Sequence, residues 1–510
     1  MQADESLKDS GGGPTEGGGP GPSPQRTDAS ARSLQQAVLA SGFWLFGLRV
    51  SERLLGLARM VVLARLLAPD DFGLFGIALL AMSVVESLSG TGFNEAIIHR
   101  QGRTDEYLGT AWTVHIARGF LLAAAMWAAA PLVAGFFGEP ASEPLLQVLS
   151  LNLILSGLTN ISVVVFQKEL DFRKLVYMGA CGALVDVVVS VVMAFILRDA
   201  WALVYGVLAG NVVRLLLSFV IAPLVRPRFD GARFKELAGF GGWVWGANVL
   251  HFLANQGDDV VVGRLLGANA LGLYRMAFAY AGLPATEITH VLSRVTFPAY
   301  AKLRDDTPVL RRGHLRAVQA TALISAPLAA GIAVMAPSFV RLVLTPAWVP
   351  MIVPLQILAA WGLIRSLSAT TGPLFQGLGR PDLITRLVLL KLLVLAAAIF
   401  PLTGRLGLSG TALSVALSAA LSYPIAARMV VRMIDCSGWA YARTWLFPAA
   451  AAALMAGAIL LFHARQEADF GLAVFCGSIF GGAAFYVLLV LLLGPRFGYD
   501  ALAVAGRRQV

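Results

Sequence analysis

The chain has 510 residues, 57% of them hydrophobic and only 14% charged, with a mean hydropathy of +0.73. Soluble domains run at about half apolar and a quarter charged, so this composition belongs to a membrane protein and excludes a soluble enzyme. The formal net charge of +10 is scattered through short loops between apolar runs, with no aromatic-basic surface, which argues for membrane topology and against a nucleic-acid partner.

Residues 1–36 are rich in Gly, Pro, Ser and Thr and are predicted to form a disordered cytoplasmic tail, because so little apolar surface cannot offset the entropy of ordering. No short apolar h-region precedes the first full-length hydrophobic run, so no cleavable signal peptide is expected. Apolar stretches bounded by Gly, Pro or charge then fall at 39–66, 73–96, 109–137, 144–166, 174–197, 201–224, 237–262, 270–296, 316–344, 350–374, 383–402, 407–431, 442–463 and 470–494. The expectation is an all-α integral membrane protein of about 14 transmembrane helices. Cys181, Cys436 and Cys476 lie far apart with no CxxC spacing and read as packing residues rather than as a disulfide or zinc framework.

With the N-terminus inside, twenty-six Lys and Arg residues fall on the cytoplasmic side and seven on the external side. The positive-inside rule therefore places both termini in the cytoplasm. Residues 41–78 also align without a gap to 240–277 at a constant offset of 199, with thirteen identities in thirty-eight, including Trp44/Trp243, Gly47/Gly246, Arg65/Arg264 and Gly73/Gly272. Six spans separate the related segments, so the halves are parallel repeats about an axis along the membrane normal. The expected organisation is a first six-helix lobe at 37–230, a second at 231–435, and helices 13 and 14 with a short cytoplasmic tail at 436–510.

Charged groups inside a membrane cost about 2.5–3.5 kcal/mol each on insertion scales, so they face one another or a wet cavity. The first span carries Arg49, Glu52, Arg53 and Arg59; the seventh carries Asn248, His251, Asn255, Asp258 and Asp259. Steps of three and four put each set on one helical face, and the repeat register pairs Arg49 with Asn248, Glu52 with His251 and Arg59 with Asp258. These stripes are expected to line a cavity between the lobes. Arg59, Asp258 and Asp259, near helix ends, read as snorkelling groups with a ligand role as the alternative. Arg49, Arg53, Asn248, His251 and Asn255 are the binding candidates, with Arg118 and Lys391 helping at a cytoplasmic entrance alongside Arg365. Asp186 and Arg214 lie at matched depth on one hairpin, which suggests a structural ion pair, with a role in the cavity as the equal alternative. Glu86 and Glu287 could bind a coupling cation or proton, or neutralise an arginine, as could Glu52.

HExxH, Walker A and GxSxG patterns are absent, and His115, His251 and His290 lack metal-ligand spacing, so neither a catalytic residue, a metal nor a cofactor is expected. Energy for any transport would come from an ion gradient, the membrane potential or the substrate's own gradient.

The stretches ARLLAPDDFGLFGIA (64–78), GFNEAIIHRQ (92–101), VVVFQKELDFRKL (163–175), VVVGRLLGANALGLYRMA (260–277), SRVTFPAYAKLRDD (293–306) and FQGLGRPDL (375–383) together resemble the Wzx-type polysaccharide transporters of the multidrug/oligosaccharidyl-lipid/polysaccharide flippase superfamily. The resemblance covers most of the chain after residue 37. It implies a V-shaped bundle of two six-helix lobes in a bacterial plasma membrane. Its implied activity is moving a polyprenyl-diphosphate-linked oligosaccharide or polysaccharide precursor to the external leaflet, with membrane lipid and polysaccharide polymerase or co-polymerase proteins as partners. The cationic cavity residues carry over as a type, not as matched positions. Guanidinium groups suit this cargo, since they bind phosphate oxygens bidentately and stay protonated. A multidrug exporter of the same superfamily should favour carboxylates for cationic drugs. A membrane glycosyltransferase or polymerase acting on lipid-linked sugars should carry an acidic site and often a long external loop, whereas the longest loop here, 297–315, is basic and expected inside.

Overall fold

The computed structural model describes residues 55–89, 93, 97, 105–168, 171–238, 241–465, 471–497 and 499. The described chain is helical throughout, in the order α1 (55–66), α2 (Pro69–Leu88), α3 (Asp105–Phe137), α4 (Ser142–Leu149), α5 (Leu151–Leu158), α6 (Val163–Lys168), α7 (Phe172–Leu197), α8 (Trp201–Ile221), α9 (Gly231–Ala238) and α10 (Gly241–Ala281). It continues through α11 (Leu283–Lys302), α12 (Thr307–Val343), α13 (Ile352–Ser368), α14 (Thr371–Gly377), α15 (Asp382–Leu406), α16 (Leu408–Met433), α17 (Gly438–Ala464) and α18 (Leu472–Leu493). Among the described residues ten helical stretches are long and apolar enough to cross a membrane. An all-helical solution follows from the solvent, because hydrocarbon cannot satisfy a free backbone N–H or C=O and each helix satisfies its own. Exposed Leu, Phe and Val side chains such as Leu132, Val220, Phe480 and Leu492 cover the outside, as lipid contact requires.

Four of the fourteen expected spans do not reappear as simple long apolar helices. Most of 39–66 lies outside the described residues. The run at 144–166 is divided into α4, α5 and α6, and its break is built by Asn160. The Asn160 backbone N–H donates to Ser218 Oγ at 3.0 Å, its side-chain amide donates to Pro223 O at 3.1 Å, and its Oδ1 accepts Ser162 N–H at 3.0 Å. A buried asparagine thus satisfies the backbone groups that the interrupted helix frees. The runs at 237–262 and 270–296 are helical but polar, and they join in α10, where Gly267 at φ 81° separates 241–266 from 268–281. Only glycine adopts that conformation without strain. The Glu139 carboxylate then accepts the Ala268 N–H at 2.8 Å, placing negative charge at the start of the second segment.

The segments related by the 199-residue offset pack against each other. A methyl group at Gly73 would overlap the Ala268 carbonyl, and one at Gly272 would overlap the Pro69 carbonyl. Pro69 and Ala268 are themselves offset partners, as are Asp70 and Asn269, whose side chains share a hydrogen bond of 2.6 Å. The crossing of α2 with the second segment of α10 therefore depends on two glycines that let backbones touch, a packing mode suited to a membrane, where helix association gains little from the hydrophobic effect. Around it lies a core of Ala64, Ile77, Val262 and Tyr274 from the two offset-related segments, joined by Leu80 and Trp348 from outside them. Trp348 is fully buried and donates Nε1–H to the Ala64 carbonyl at 2.8 Å. Arg65 donates to Val343 O at 2.7 Å and Leu342 O at 3.0 Å, so a cation caps the carbonyl end of α12.

Candidate functional site

The first binding candidates, Arg49 and Arg53, lie outside the described residues, as does Glu52; the side chain of Glu287 also lies outside them. The remaining candidates separate into three places. On the first side of the bundle, Asp186 is not paired with Arg214. Its Oδ1 meets Arg59 Nη2 at 2.9 Å, the two side chains being 18% and 19% exposed. Ser190, one turn along α7, closes the triangle by accepting Arg59 Nη2–H at 2.8 Å and donating to Asp186 Oδ1 at 3.1 Å. Arg59 is thus an interior ion-pair partner and not a snorkelling group. Arg214 instead donates to Asn211 Oδ1 at 2.7 Å, and Asn211 in turn donates to Asn152. Matched depth put Asp186 and Arg214 within reach of each other, but helix rotation gives Asp186 to α1.

In the second place, on α2 and α3, Arg118 donates to Ser89 Oγ at 2.7 Å. Glu86 is exposed, one turn before Ser89 and within electrostatic reach of that guanidinium. The Nε atoms of Arg118 and Arg59 and the Nε2 of His115 are buried with no hydrogen-bond partner among the described residues.

The third place gathers most side chains. Asp258 is 4% exposed on α10 and accepts the Tyr274 hydroxyl at 2.6 Å; the neighbouring Asp259 holds Arg275 at 3.2 Å. Asp258 is buried and Asp259 is bound to a cation rather than free at a helix end, which corrects the snorkelling expectation: the turn at Gly267 folds the second segment of α10 back so that Tyr274 and Arg275 meet the first. Around Asp258 a small cavity, about 10 Å³ and so room for one water, is lined by Asn255, Trp361, Arg365, Lys391 and their apolar neighbours. Lys391 Nζ reaches the Ala254 carbonyl at 3.5 Å, a long contact, and Arg365 lies over the Trp361 ring at 4.9 Å. Neither cation has a carboxylate within 4 Å among the described residues. The pocket thus holds two cations against one carboxylate that already has a hydroxyl donor. Unneutralised buried charge is costly, so the arrangement is complementary to an anion. Asn248 and His251 lie two turns and one turn before Asn255 on the same segment, His251 exposed and its carbonyl accepting the Asn255 amide at 2.8 Å. Sequence reasoning found Asn255, Lys391 and Arg365 by depth and charge; Trp361 and Tyr274, which hold two members of the cluster, carried no signal beyond their residue type.

Beside this pocket α1, α10, α12, α17 and α18 enclose a groove of about 910 Å³ lined almost wholly by apolar side chains. Several of them, including Val62, Ile324, Leu328, Ile479 and Val487, are exposed, so the groove opens sideways. Tyr280 contributes a buried hydroxyl with no partner among the described residues. Phe278 lines the pocket and Tyr280 the groove, so α10 serves both. Among the described residues no group of three His, Cys, Asp or Glu side chains is placed to hold a metal ion.

This fold, an all-helical membrane bundle with a charged interior and a lateral apolar groove, is that of membrane transporters. It superimposes on a lipid II flippase MurJ in an inward closed conformation with a TM-score of 0.72, covering 88% of this chain and 99% of that one at 14% identity. An inward-facing multidrug resistance MATE family transporter of the MOP superfamily matches with a TM-score of 0.62, covering 75% and 95% at 17% identity. The sequence profile described as polysaccharide biosynthesis protein matches residues 62–353. The chain belongs to this family of polysaccharide biosynthesis proteins. Similar proteins include the lipopolysaccharide biosynthesis protein WzxC of Escherichia coli K12, 28% identical over 69% of this chain and 72% of its own length. The teichuronic acid biosynthesis protein TuaB of Bacillus subtilis is 25% identical over 79% and 85%. The succinoglycan biosynthesis transport protein ExoT of Rhizobium meliloti is 23% identical over 62% and 65%.

Proposed function

We propose that the protein moves a polyprenyl-diphosphate-linked oligosaccharide, or a related polysaccharide precursor, across a bacterial plasma membrane by alternating access. The observation that carries this reading is the pairing of a cation-rich pocket at Asn255, Arg365 and Lys391 with a lateral apolar groove that shares α10 with it. A lipid diphosphate is an anion on an apolar tail and needs both surfaces at once. Arg118, in its separate place on α3, is a further cation on the proposed cytoplasmic route. Fourteen spans, two parallel six-helix lobes and cytoplasmic termini remain the topology that best fits the charge distribution and the internal repeat. In that orientation the Gly73/Gly272 crossing lies on the external side, and opening of the transporter to the outside would have to part it. Relatives named for polysaccharide biosynthesis and transport support this reading over drug export.

Locking the external closure tests the mechanism. In a background with Cys181, Cys436 and Cys476 replaced by serine, Asp70→Cys and Asn269→Cys would be joined by a short thiol cross-linker, their side chains being in contact in the native protein. The joined protein should stop polymer export and leave lipid-linked oligosaccharide in the cytoplasmic leaflet, and a cleavable linker should restore export on reduction. Normal export by fully cross-linked protein would exclude opening at this crossing.

A further inference from the structure

We infer that the segment 222–235 forms a binding site for the phosphate of an anionic phospholipid, separate from the transport pocket and independent of the function proposed above. Beyond α8 the chain runs as an extended strap across the start of α3. It is held there by Arg228 N–H donating to Gly109 O at 3.2 Å and by Thr110 Oγ1 donating to Arg228 O at 3.1 Å. The strap passes so close that a methyl group at Gly109 would lie 3.0 Å from the Arg226 carbonyl. Between strap and helix is a cavity of about 390 Å³ lined by Thr110, Arg226, Arg228, Asp230 and Arg233.

Charge decides what this cavity accepts. Asp230 is engaged by Arg233 at 3.4 Å and its Oδ1 accepts the Ala232 N–H at 3.0 Å. Arg226 and Arg228 have no carboxylate partner among the described residues, so the cavity keeps an excess of two guanidinium groups. Planar guanidinium forks match phosphate oxygens, which is the recognition an anion here would use.

A free phosphate would need only these groups, whereas a lipid also needs apolar surface beside them. A second cavity of about 560 Å³ adjoins the first at Val225 and is lined by Leu108, Val165, Phe166 and Val220. Leu224 and Phe229 are exposed on the strap itself, 71% and 59%. Cations interleaved with exposed apolar and aromatic side chains at the end of a membrane helix are the composition of an interfacial, anionic-lipid-binding element.

The test uses the full-length protein purified in detergent, with bound lipid read by native mass spectrometry. Dioleoyl-phosphatidylglycerol should be retained in preference to dioleoyl-phosphatidylcholine, and inorganic phosphate should fail to displace it. The double substitution Arg226→Gln/Arg228→Gln should weaken phosphatidylglycerol retention about tenfold, the loss of one charge-assisted hydrogen bond or more. It should leave phosphatidylcholine retention unchanged, and Arg428→Gln, an exposed cation on α16, should behave as the unaltered protein. Arg226→Lys/Arg228→Lys, keeping charge without the fork, should fall between and serves as the reading if the glutamine variant melts early. Undiminished phosphatidylglycerol retention by the glutamine variant, or an equal loss in Arg428→Gln, would overturn the site. Displacement by inorganic phosphate would overturn the lipid as its ligand.

Discussion

Removing both cations from the second-half pocket should nearly abolish transport while leaving the protein in the membrane. Lys391→Gln and Arg365→Gln each delete one charge facing the cavity around Asp258. Hydrogen bonds to charged groups contribute about 1.5–3 kcal/mol, so each single variant should lose about tenfold or more in transport rate and the double variant should approach background. Arg365→Lys should retain part of the activity, because it keeps the charge but loses both the bidentate fork and the stacking over Trp361. The measurement is export of surface polysaccharide, normalised to membrane-inserted protein. Asp258→Asn is the informative contrast. It removes the pocket's carboxylate while leaving an oxygen to accept from Tyr274, so it should raise rather than lower the pocket's affinity for an anion and impair release instead. Normal export by the Lys391→Gln/Arg365→Gln variant would place substrate recognition elsewhere.

The second large effect concerns stability. Arg59 and Asp186 meet at 2.9 Å within the bundle, and removing one member leaves the other charge unpaired, a loss of about 3–5 kcal/mol. Arg59→Ala and Asp186→Ala should each reduce the yield of folded protein and its resistance to heat in detergent. The double variant should be more stable than either, because no lone charge remains. Arg214→Ala should cost less, since that side chain bonds to a neutral amide. Losses in the double variant equal to the sum of the singles would show that the pair does not interact.

How these charges pair marks the limit of what the sequence could reveal. Composition, span periodicity and the 199-residue offset were enough to indicate a helical membrane bundle and to single out Gly73 and Gly272, because such signals are one-dimensional. The stripe Asn248, His251, Asn255 and Asp258 was legible for the same reason: helical spacing fixes a face. The partner of Asp186 was not legible, because Arg59 and Arg214 both lie at accessible depth and only helix rotation chooses between them. Nor was the fate of Asp258 and Asp259. Their distance from the helix end suggested access to water, but Gly267 reverses the chain and brings Tyr274 and Arg275 over them. The division of 144–166 likewise turned on Asn160, whose role depends on Ser218 and Pro223 more than fifty residues away. Arg365 and Lys391 could each be seen as an intramembrane cation, yet their convergence with Asp258 required α13 and α15 to be placed against α10.

The central claim, that the protein carries a lipid-linked glycan rather than a drug or a free sugar, is tested most directly by deleting its gene and quantifying lipid-linked oligosaccharide in each leaflet of the plasma membrane. The account predicts that completed lipid-linked oligosaccharide accumulates in the cytoplasmic leaflet, that surface polymer is lost, and that the unaltered gene reverses both while the Lys391→Gln/Arg365→Gln variant does not. Surface polymer at normal levels with no such accumulation, or a deletion that changes only sensitivity to cationic drugs, would contradict it.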